Sequence, residues 1–263
     1  MVHQIRSFNL LGSIAVVNFP KGVKSKEKKA FAQKIIRENK SVKTVLEKSR
    51  SFKGRLRKMQ TKYVLGVKTK EVLYKENGCV FRFNLDTTYF SPRLSGERKE
   101  IASLIKKNEE VLVMFAGVAP YSIVIAKNSN SKKVYSNEIN REANRYAKLN
   151  VDLNNVKNRI ELVSGDIKRV SLNLKKQNKK FDVIVMPRPQ LKDSFLKQAF
   201  LLSKKGTIIY YYDFCKQDEI GVIKEKIEKQ AKEAKIKVKI KNVKSAGEIA
   251  PYKIRVRFDL EII

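Results

Sequence analysis

The chain has 263 residues, and its 58 Lys and Arg against 26 Asp and Glu give a formal net charge of +32. That charge predicts a polyanionic partner, for which nucleic acid is favoured over an anionic membrane surface. Two cysteines are too few for a disulfide framework, and His3, the single histidine, excludes a histidine-based triad or metal cluster. No apolar run approaches the ~20 residues of a membrane-spanning helix, and no signal-peptide core is present. We therefore expect a soluble, cytoplasmic, metal-free monomer.

Residues 1–88 are predicted to form a small, basic α+β domain. A strand interrupted at Gly12 precedes a helix over 26–38, whose lysine-rich face is either solvated or a surface for phosphates. The run Lys48–Lys58 carries six positive charges in eleven residues, and such runs are often disordered until an anion orders them. Glu76-Asn-Gly78 predicts a hairpin turn. Further strands are predicted at 42–46, 63–67, 69–75 and 80–84.

Residues 89–263 alternate between predicted helices and strands, which is the pattern of an α/β fold with a doubly wound, mostly parallel sheet. Two closing strands, at 236–243 and 252–262, predict an antiparallel end of that sheet. Helices are predicted at 95–107, 138–150, 167–176, 191–203 and 219–234, and the other strands at 111–115, 133–138, 160–163, 181–186 and 206–213.

The strand and loop around Gly117 suggest a nucleotide-binding turn. Val111–Phe115 is a continuous apolar run, which suits a parallel strand that is covered on both faces. Gly117 then allows a tight turn, and Pro120 suits the first turn of the following helix. One glycine is fewer than the three of a dinucleotide fingerprint, so an ordinary structural turn remains an alternative.

Two acidic residues follow the next two predicted strands. Glu138 closes its strand 21 residues after Gly117, at a position where a carboxylate accepts hydrogen bonds from ribose hydroxyls. Asp166 follows the strand at 160–163 in the same way. Either acid alone also fits a helix N-cap. Together, the loop and the two acids form the arrangement in which an S-adenosylmethionine-dependent methyltransferase holds methionine, ribose and adenine.

Two strings make the chain resemble a known family. Tyr89-Phe-Ser-Pro-Arg-Leu-Ser-Gly-Glu-Arg98 and Met114-Phe-Ala-Gly-Val-Ala-Pro120 are similar to strings of the archaeal and eukaryotic tRNA (guanine-37-N1)-methyltransferases of the Trm five family. The resemblance implies a class I Rossmann-like methyltransferase fold, S-adenosyl-L-methionine as cofactor, and the anticodon stem-loop of tRNA as partner. Wyosine-pathway aminocarboxypropyltransferases are similar, but they usually carry glycine-asparagine in place of Arg93-Leu94, which favours methyl transfer. The additional N-terminal domain with which relatives check the tRNA elbow is expected to be missing.

The resemblance also implies residue roles. Glu97 would be the general base that removes the N1 proton of guanosine, worth about 10²–10⁴ in rate, and Arg57 the cation that steadies charge on O6, worth about 10²–10³. Without the resemblance, the favoured readings are a first-turn helix acid for Glu97 and a phosphate contact for Arg57. The implied cofactor-site residues are Tyr89, Arg93, Phe115, Ala116, Gly117, Glu138, Ile139, Asp166, Ile167 and Pro187.

Two departures from the family pattern bear on the choice of substrate. Val113 stands where relatives usually have an aspartate, and Met186-Pro-Arg-Pro189 replaces their Asn-Pro-Pro or Asn-Leu-Pro. No amide is therefore available at Met186 to hold the edge of a base. The leading hypothesis is methylation of N1 of guanosine-37, alone or together with C7 of the wyosine precursor imidazoguanosine at that position. Aminocarboxypropyl transfer and non-catalytic RNA binding are the alternatives.

Overall fold

The computed structural model describes residues 8–53 and 58–263. The chain divides into two units, Met1–Pro92 and Arg93–Ile263. Arg57, predicted to be catalytic, lies outside the described residues.

A four-stranded sheet and one helix form most of the first unit. Helix α1 buries Ala32 and Ile35 in one hydrophobic cluster with Ala15 and Val45 of the sheet. β2 and β3 are parallel, whereas β1–β2 and β3–β4 are antiparallel pairs. The elements are β1 (Phe8–Leu11), β2 (Ile14–Val17), α1 (Ser25–Glu38), β3 (Thr44–Lys53) and β4 (Lys58–Gly66).

The described part of the basic run Lys48–Lys58 is strand. β3 continues to Lys53, and β4 begins at Lys58. The antiparallel pairing of Lys48 with Thr61 and of Lys53 with Lys58 gives the physical reason. Backbone groups satisfy each other across a ladder whatever the charge of the side chains.

A separate hairpin completes the first unit. β5 (Glu71–Glu76) and β6 (Cys79–Asn84) are antiparallel, and Asn77 and Gly78 both have positive φ, 49° and 71°. Two successive positive φ values belong to a type I′ turn, so the predicted hairpin is confirmed. Gly12, between β1 and β2, has φ +57°, and an added Cβ would lie 2.2 Å from a backbone oxygen of β5. No larger residue fits there without a shift of the backbone.

A seven-stranded sheet runs through the second unit in the order β12-β13-β11-β10-β7-β8-β9. β7 to β11 are parallel, and β13 and β12 are antiparallel at one end, so the predicted fold class is confirmed. Chain order reverses between β7 and β10, the switch point at which open α/β sheets bind ligands beyond the carboxyl ends of their strands. The strands are β7 (Glu110–Met114), β8 (Lys133–Glu138), β9 (Ile160–Ser164), β10 (Phe181–Met186), β11 (Ser203–Lys216), β12 (Val238–Ala250) and β13 (Lys253–Ile262).

Helices cover both faces of this sheet. They are α2 (Ser95–Leu104), α3 (Pro120–Asn128), α4 (Arg141–Leu153), α5 (Ile167–Lys176), α6 (Leu196–Leu201) and α7 (Ile220–Glu233). α5, α6 and α7 share one buried cluster with the sheet, whereas α2 packs against α3, which contacts β8. Successive residues of a strand face opposite sides. Accordingly Tyr211 joins the α5–α7 cluster, while Tyr212 lies beside Tyr121 of α3.

The largest difference between predicted and observed secondary structure lies at residues 191–203, where a single helix was predicted. Only Leu196–Leu201 is helical, because Phe195 adopts a left-handed backbone with φ 60° and Ser203 already begins β11. The residues between β10 and α6 form an irregular loop instead. Smaller differences in element ends occur at Leu104, Arg141 and Ala250.

Candidate active site

The loop that follows β7 has an unusual backbone. Phe115, Gly117 and Ala119 all have positive φ, 59°, 60° and 65°. Phe115 therefore leaves the strand, which ends one residue earlier than predicted, and Pro120 opens α3 as expected. Left-handed non-glycine residues cost about 1–3 kcal/mol each and cluster at ligand clamps. The loop is therefore a strained turn at the carboxyl end of β7, beside the switch point.

Glu138 is bonded to this loop. Its Oε2 accepts from Gly117 N at 2.8 Å, and its Oε1 accepts from Ile139 N at 2.9 Å and from Asn140 N at 2.7 Å. The structure thus brings together the turn and the carboxylate that the sequence paired by spacing. A carboxylate has about four acceptor sites, so backbone amides and ribose hydroxyls would address the same group.

Asp166 stands at the end of β9 and caps α5. Its side chain accepts from Lys168 N at 3.0 Å, which is the N-cap role left open by the sequence. The carboxylate is half-buried, and Ile167 behind it is buried. With the loop and Glu138, three neighbouring strand ends supply a tight turn and two acceptors. These residues fit the adenosine part of S-adenosylmethionine.

The residues at the carboxyl end of β10 expose few polar groups. Met186 is fully buried, and the guanidinium of Arg188 is turned inward with 3% exposure. Arg188 Nη2 lies 3.2 Å from Asp213 Oδ1 and donates to the carbonyl of Leu191 at 3.0 Å. Phe195, at the end of the loop that follows β10, packs edge-on against Phe115 in the loop that follows β7, with ring centroids 4.9 Å apart. The two loops therefore form one surface.

Glu97 lies in the first turn of α2 with 9% exposure. Its Oε1 accepts from Tyr212 Oη at 2.7 Å and from Arg257 Nη1 at 2.5 Å. Tyr211 pairs with Met186, the last residue of β10, so Tyr212 lies just beyond the carboxyl end of that strand. The carboxylate is thus more than a solvated first-turn acid, because it is buried and bonded at the ligand-binding edge of the sheet.

Four residues of this site were not predicted to belong to it: Tyr212 and Arg257 around Glu97, and Arg188 and Asp213 beyond β10. The sequence did contain a signal for Tyr212 and Asp213. The string Tyr210-Tyr-Tyr-Asp213 ends a buried strand in a polar residue, and parallel sheets bind their ligands at the carboxyl ends of such strands. Arg257 had no local signal, because its position depends on β13 inserting between β11 and β12.

The remaining predicted site residues are spread over the chain. Tyr89 belongs to the first unit and Arg93 is exposed at the start of the second, so their roles stay predictions. Phe115, Ile139 and Pro187 are half-buried, and Ala116 is buried. Within the described ranges no cluster of His, Cys, Asp and Glu is arranged to hold a metal. None of the helices described is long and apolar enough to span a membrane.

Sheet order, switch-point loop and strand-end carboxylates together define a class I Rossmann-like methyltransferase. Residues 72–240 match the TRM5/TYW2 methyltransferase domain, and residues 1–69 match the TYW2 N-terminal domain. The chain belongs to the TRM5/TYW2 methyltransferase family, so the predicted family is confirmed. Its named members include tRNA methyltransferases, in agreement with the predicted donor and the predicted class of substrate.

Two curated relatives match along almost all of the chain. The tRNA (guanine(37)-N(1))-methyltransferase Trm5b of Pyrococcus abyssi is 30% identical over 257 residues, 97% of this chain and 74% of the relative. The tRNA (guanine(37)-N(1))/4-demethylwyosine(37)-methyltransferase Taw22 of Nanoarchaeum equitans is 31% identical, over 98% of this chain and 100% of the relative.

Solved structures agree with this assignment. Trm5b from Pyrococcus abyssi superposes with a TM-score of 0.85 at 28% identity, over 98% of this chain and 75% of that one. The complex of aTrm5 with tRNALeu gives 0.84 at 26% identity, over 98% and 72% of the two chains. Methanocaldococcus jannaschii Trm5 with adenosine gives 0.80 at 26% identity, over 97% and 74%.

Proposed function

We propose that this protein transfers a methyl group from S-adenosyl-L-methionine to N1 of guanosine-37 in tRNA, the reaction named for its Pyrococcus abyssi relative. One observation carries the proposal. Glu97 is a buried carboxylate, fixed by two hydrogen bonds at the edge of the sheet that also holds the strained loop. A base in that position is what methylation of a protonated ring nitrogen requires.

The cofactor supplies an electrophilic methyl group on a sulfonium centre. The loop around Gly117 would hold its methionine part, Glu138 its ribose and Asp166 its adenine end. The related Methanocaldococcus jannaschii Trm5 has been crystallised with adenosine, the part of the donor that these two acids would contact. The strain in the loop supports this role, since ligand clamps are where such backbone geometry concentrates.

Glu97 would act on the nucleobase. N1 of guanine carries a proton at neutral pH and is a poor nucleophile, so the proton must leave as the methyl group arrives. Tyr212 and Arg257 both occupy Oε1 of Glu97, which leaves Oε2 to take that proton. Negative charge then grows on O6, where the resemblance assigns Arg57 as the stabilising cation.

Methylation of C7 of imidazoguanosine, the tricyclic wyosine precursor, is a second candidate. Met186 is fully buried and offers no hydrogen bond to a base edge. Pro187 and Pro189 lack N–H groups, and the N–H of Arg188 is bonded to the carbonyl of Met186 at 2.7 Å. The residues that directly follow β10 therefore offer no amide group and no available backbone N–H to the edge of guanine, which weakens selection for that base. The Nanoarchaeum equitans relative is named for methylation of guanine-37 at N1 and of 4-demethylwyosine-37, a wyosine-pathway base.

Reaction with isotope-labelled cofactor tests these candidates. Transfer RNA with guanosine-37 and tRNA with imidazoguanosine-37 are each incubated with the protein, digested to nucleosides and weighed by mass spectrometry. Label in 1-methylguanosine supports the main proposal, and label in the methylated tricycle supports the second. An aminocarboxypropyl adduct, which is far heavier than a methyl group, would contradict both. Absence of product together with absence of cofactor binding in calorimetry would indicate a non-catalytic RNA-binding protein.

The tRNA itself would meet a strongly basic surface. The polar face of α1 exposes lysines such as Lys26, Lys29 and Lys34, in keeping with the net charge of +32. Binding by such a surface releases counterions, so the affinity for tRNA should fall steeply with salt. A salt-independent affinity would contradict an electrostatic role for this face.

A further inference from the structure

Glu97 belongs to a cluster of charges that joins α2 to β13, in which Glu97 and Arg257 are buried and Glu100 and Lys244 are partly exposed. Arg257, with 1% exposure, donates to Glu97 at 2.5 Å, to Glu100 at 3.0 Å and to Asp259 at 2.7 Å. Lys244 of β12 binds Glu100 at 2.5 Å and lies 3.9 Å from Oε2 of Glu97. A buried guanidinium is well suited to such a cluster, because its fixed fork of donors can bind several carboxylates at once.

Tyr212 completes the environment of Glu97 from the other side. Burial raises the pKa of the Tyr212 phenol well above its ordinary value, and the neighbouring Tyr121 and Glu97 raise it further. Burial likewise raises the pKa of Tyr121 to about 12. Both phenols therefore keep their protons at neutral pH. Tyr212 is thus a fixed donor to Glu97 and does not compete with it for the proton of a substrate.

Arg257 keeps its charge for a complementary reason. Burial opposes the charged form, but hydrogen bonds with Asp259 and Glu97 raise the pKa of Arg257 well above its ordinary value. Three carboxylates and two cations are joined by the bonds of this cluster. Its bonded members therefore carry one negative charge in excess, and a proton that reaches Glu97 would neutralise it. Protonation would not leave a new uncompensated charge among them, which burial would penalise.

We infer that Tyr212 and Arg257 are positioning residues that hold Oε1 of Glu97 and so present Oε2 as the proton acceptor. The inference rests on the proposed function. It explains why a general base should be buried under two donors: a carboxylate that is free to rotate would lose the orientation on which proton transfer depends, and misplacement by about 1 Å can cost 10²-fold in rate.

Replacing Tyr212 by Phe tests this inference with little change in packing, because only the hydroxyl is lost. Tyr210→Phe is the matched control. Tyr210 is buried on the same face of β11 two residues earlier, and its hydroxyl has no hydrogen bond within the described structure. We expect Tyr212→Phe to lower kcat about ten- to hundredfold, the size of one hydrogen bond to a charged group, with the KM for cofactor unchanged. Tyr210→Phe should match the wild type.

Two further readouts separate positioning from a general structural effect. Loss of a donor favours the protonated carboxyl, so the acid limb of the kcat profile should move to higher pH in Tyr212→Phe and stay in place in Tyr210→Phe. The same comparison can be made by NMR in the protein without cofactor. The pH midpoint of the carboxyl signal of ¹³C-labelled Glu97, assigned by its loss in Glu97→Gln, should also move to higher pH in Tyr212→Phe. The charged or titratable groups around Glu97 are Arg98 and Glu100 of α2, Tyr121 of α3, Tyr212 of β11, Lys244 of β12, and Arg255, Arg257 and Asp259 of β13.

A double variant decides whether Tyr212 acts through Glu97. If it does, Tyr212→Phe should cost little more once Glu97→Gln is present, because residues that act as a unit are strongly non-additive. Equal losses in both backgrounds, or a Tyr212→Phe enzyme that matches the wild type, would overturn the inference alone. A Glu97→Gln enzyme with unchanged kcat would overturn the base assignment and the inference together.

Arg257→Lys extends the same test to the second donor. Lysine keeps the charge but not the fork, so the shift of the acid limb and the loss in kcat should have the same sign as in Tyr212→Phe. Circular dichroism and thermal unfolding check that this variant folds. A folded Arg257→Lys enzyme with the wild-type profile would restrict the positioning role to Tyr212 and contradict the inference for Arg257.

Discussion

Removing either partner of the Arg188–Asp213 pair is expected to destabilise the protein unequally. Both side chains are buried, with 2% and 9% side-chain exposure and 3.2 Å between Nη2 and Oδ1. Breaking a buried ion pair by removing one partner costs about 3–5 kcal/mol, because the other charge is left uncompensated. The two variants differ in what remains behind.

Arg188→Met leaves Asp213 with other partners. Its carboxylate still accepts from Tyr211 Oη at 2.5 Å and from Phe214 N at 2.8 Å, and Lys226 lies 3.6 Å away. The substitution also removes Arg188 Nε, which is buried without a hydrogen-bond partner in the described structure and costs about 1–3 kcal/mol. Subtracting this relief, and adding about 1 kcal/mol for the carbonyls of Pro189 and Leu191 that lose their donor, leaves a net loss of about 3 kcal/mol, or about 6–12 °C in Tm for a chain of this size.

Asp213→Asn has no such relief. The guanidinium stays buried and charged with its Nε still unsatisfied, and the new amide group faces the donors of Arg188 and Tyr211. We therefore expect the full loss of about 3–5 kcal/mol, and partial recovery in the double variant Arg188→Met/Asp213→Asn.

Urea unfolding of the four proteins measures these differences directly. Arg82→Met is a control, since its pair with Glu71 is exposed, with side-chain exposures of 52% and 37%, and should change the free energy of unfolding by less than about 1 kcal/mol. The reasoning is refuted if Arg188→Met is less stable than Asp213→Asn, or if the double variant is less stable than both single variants.

Three further predictions concern other parts of the chain. Gly12→Ala should lose about 2 kcal/mol or more in chemical unfolding, because its Cβ would lie 2.2 Å from a backbone oxygen, whereas Gly22→Ala, with no atom within 4 Å, should lose less. Lys26→Glu/Lys29→Glu should weaken tRNA binding and lower the salt slope by about one per lost phosphate contact, and unchanged filter-binding curves would exclude α1 as a contact. Burial works against the charge of Asp182, yet its lysine partner and a backbone N–H hold its pKa below the ordinary 3.8. Its stabilising contribution is therefore full above pH 3.8 and is lost as pH falls through the lower folded pKa. The free energy of unfolding of Asp182→Asn should therefore depend less on pH in acid than that of the wild type. Equal slopes of the free energy of unfolding against pH would contradict this.

Much of the fold was predictable because its signals are local. The continuous apolar run before Gly117 and the helical spacing of 167–176 and 219–234 depend on residues a few positions apart, and each element appears close to its predicted place. The pairing of Gly117 with Glu138 also follows from chain order, since successive parallel strands of such a sheet are neighbours and their carboxyl ends meet.

The contacts that were missed are long-range. Arg257 meets Glu97 across 160 positions, and only the insertion of β13 beside β11 brings them together. The loop before α6 was misread for a different reason. Its apolar residues have helical spacing, but Phe195 and the carbonyls bound by Arg188 fix an irregular backbone that hydrophobic periodicity does not report.

The place of β13 in the sheet has a consequence for biosynthesis. A ribosome makes Arg257 160 positions after Glu97, and the hairpin of β12 and β13 then pairs with β11 through β13. Contacts between residues so far apart in the chain form late in folding, because closing the long loop between them costs conformational entropy before the contact can stabilise it. A nascent chain would thus form the loop around Gly117 well before Arg257 holds Glu97. Under the proposed function, the site for the methyl donor would form before the general base is oriented.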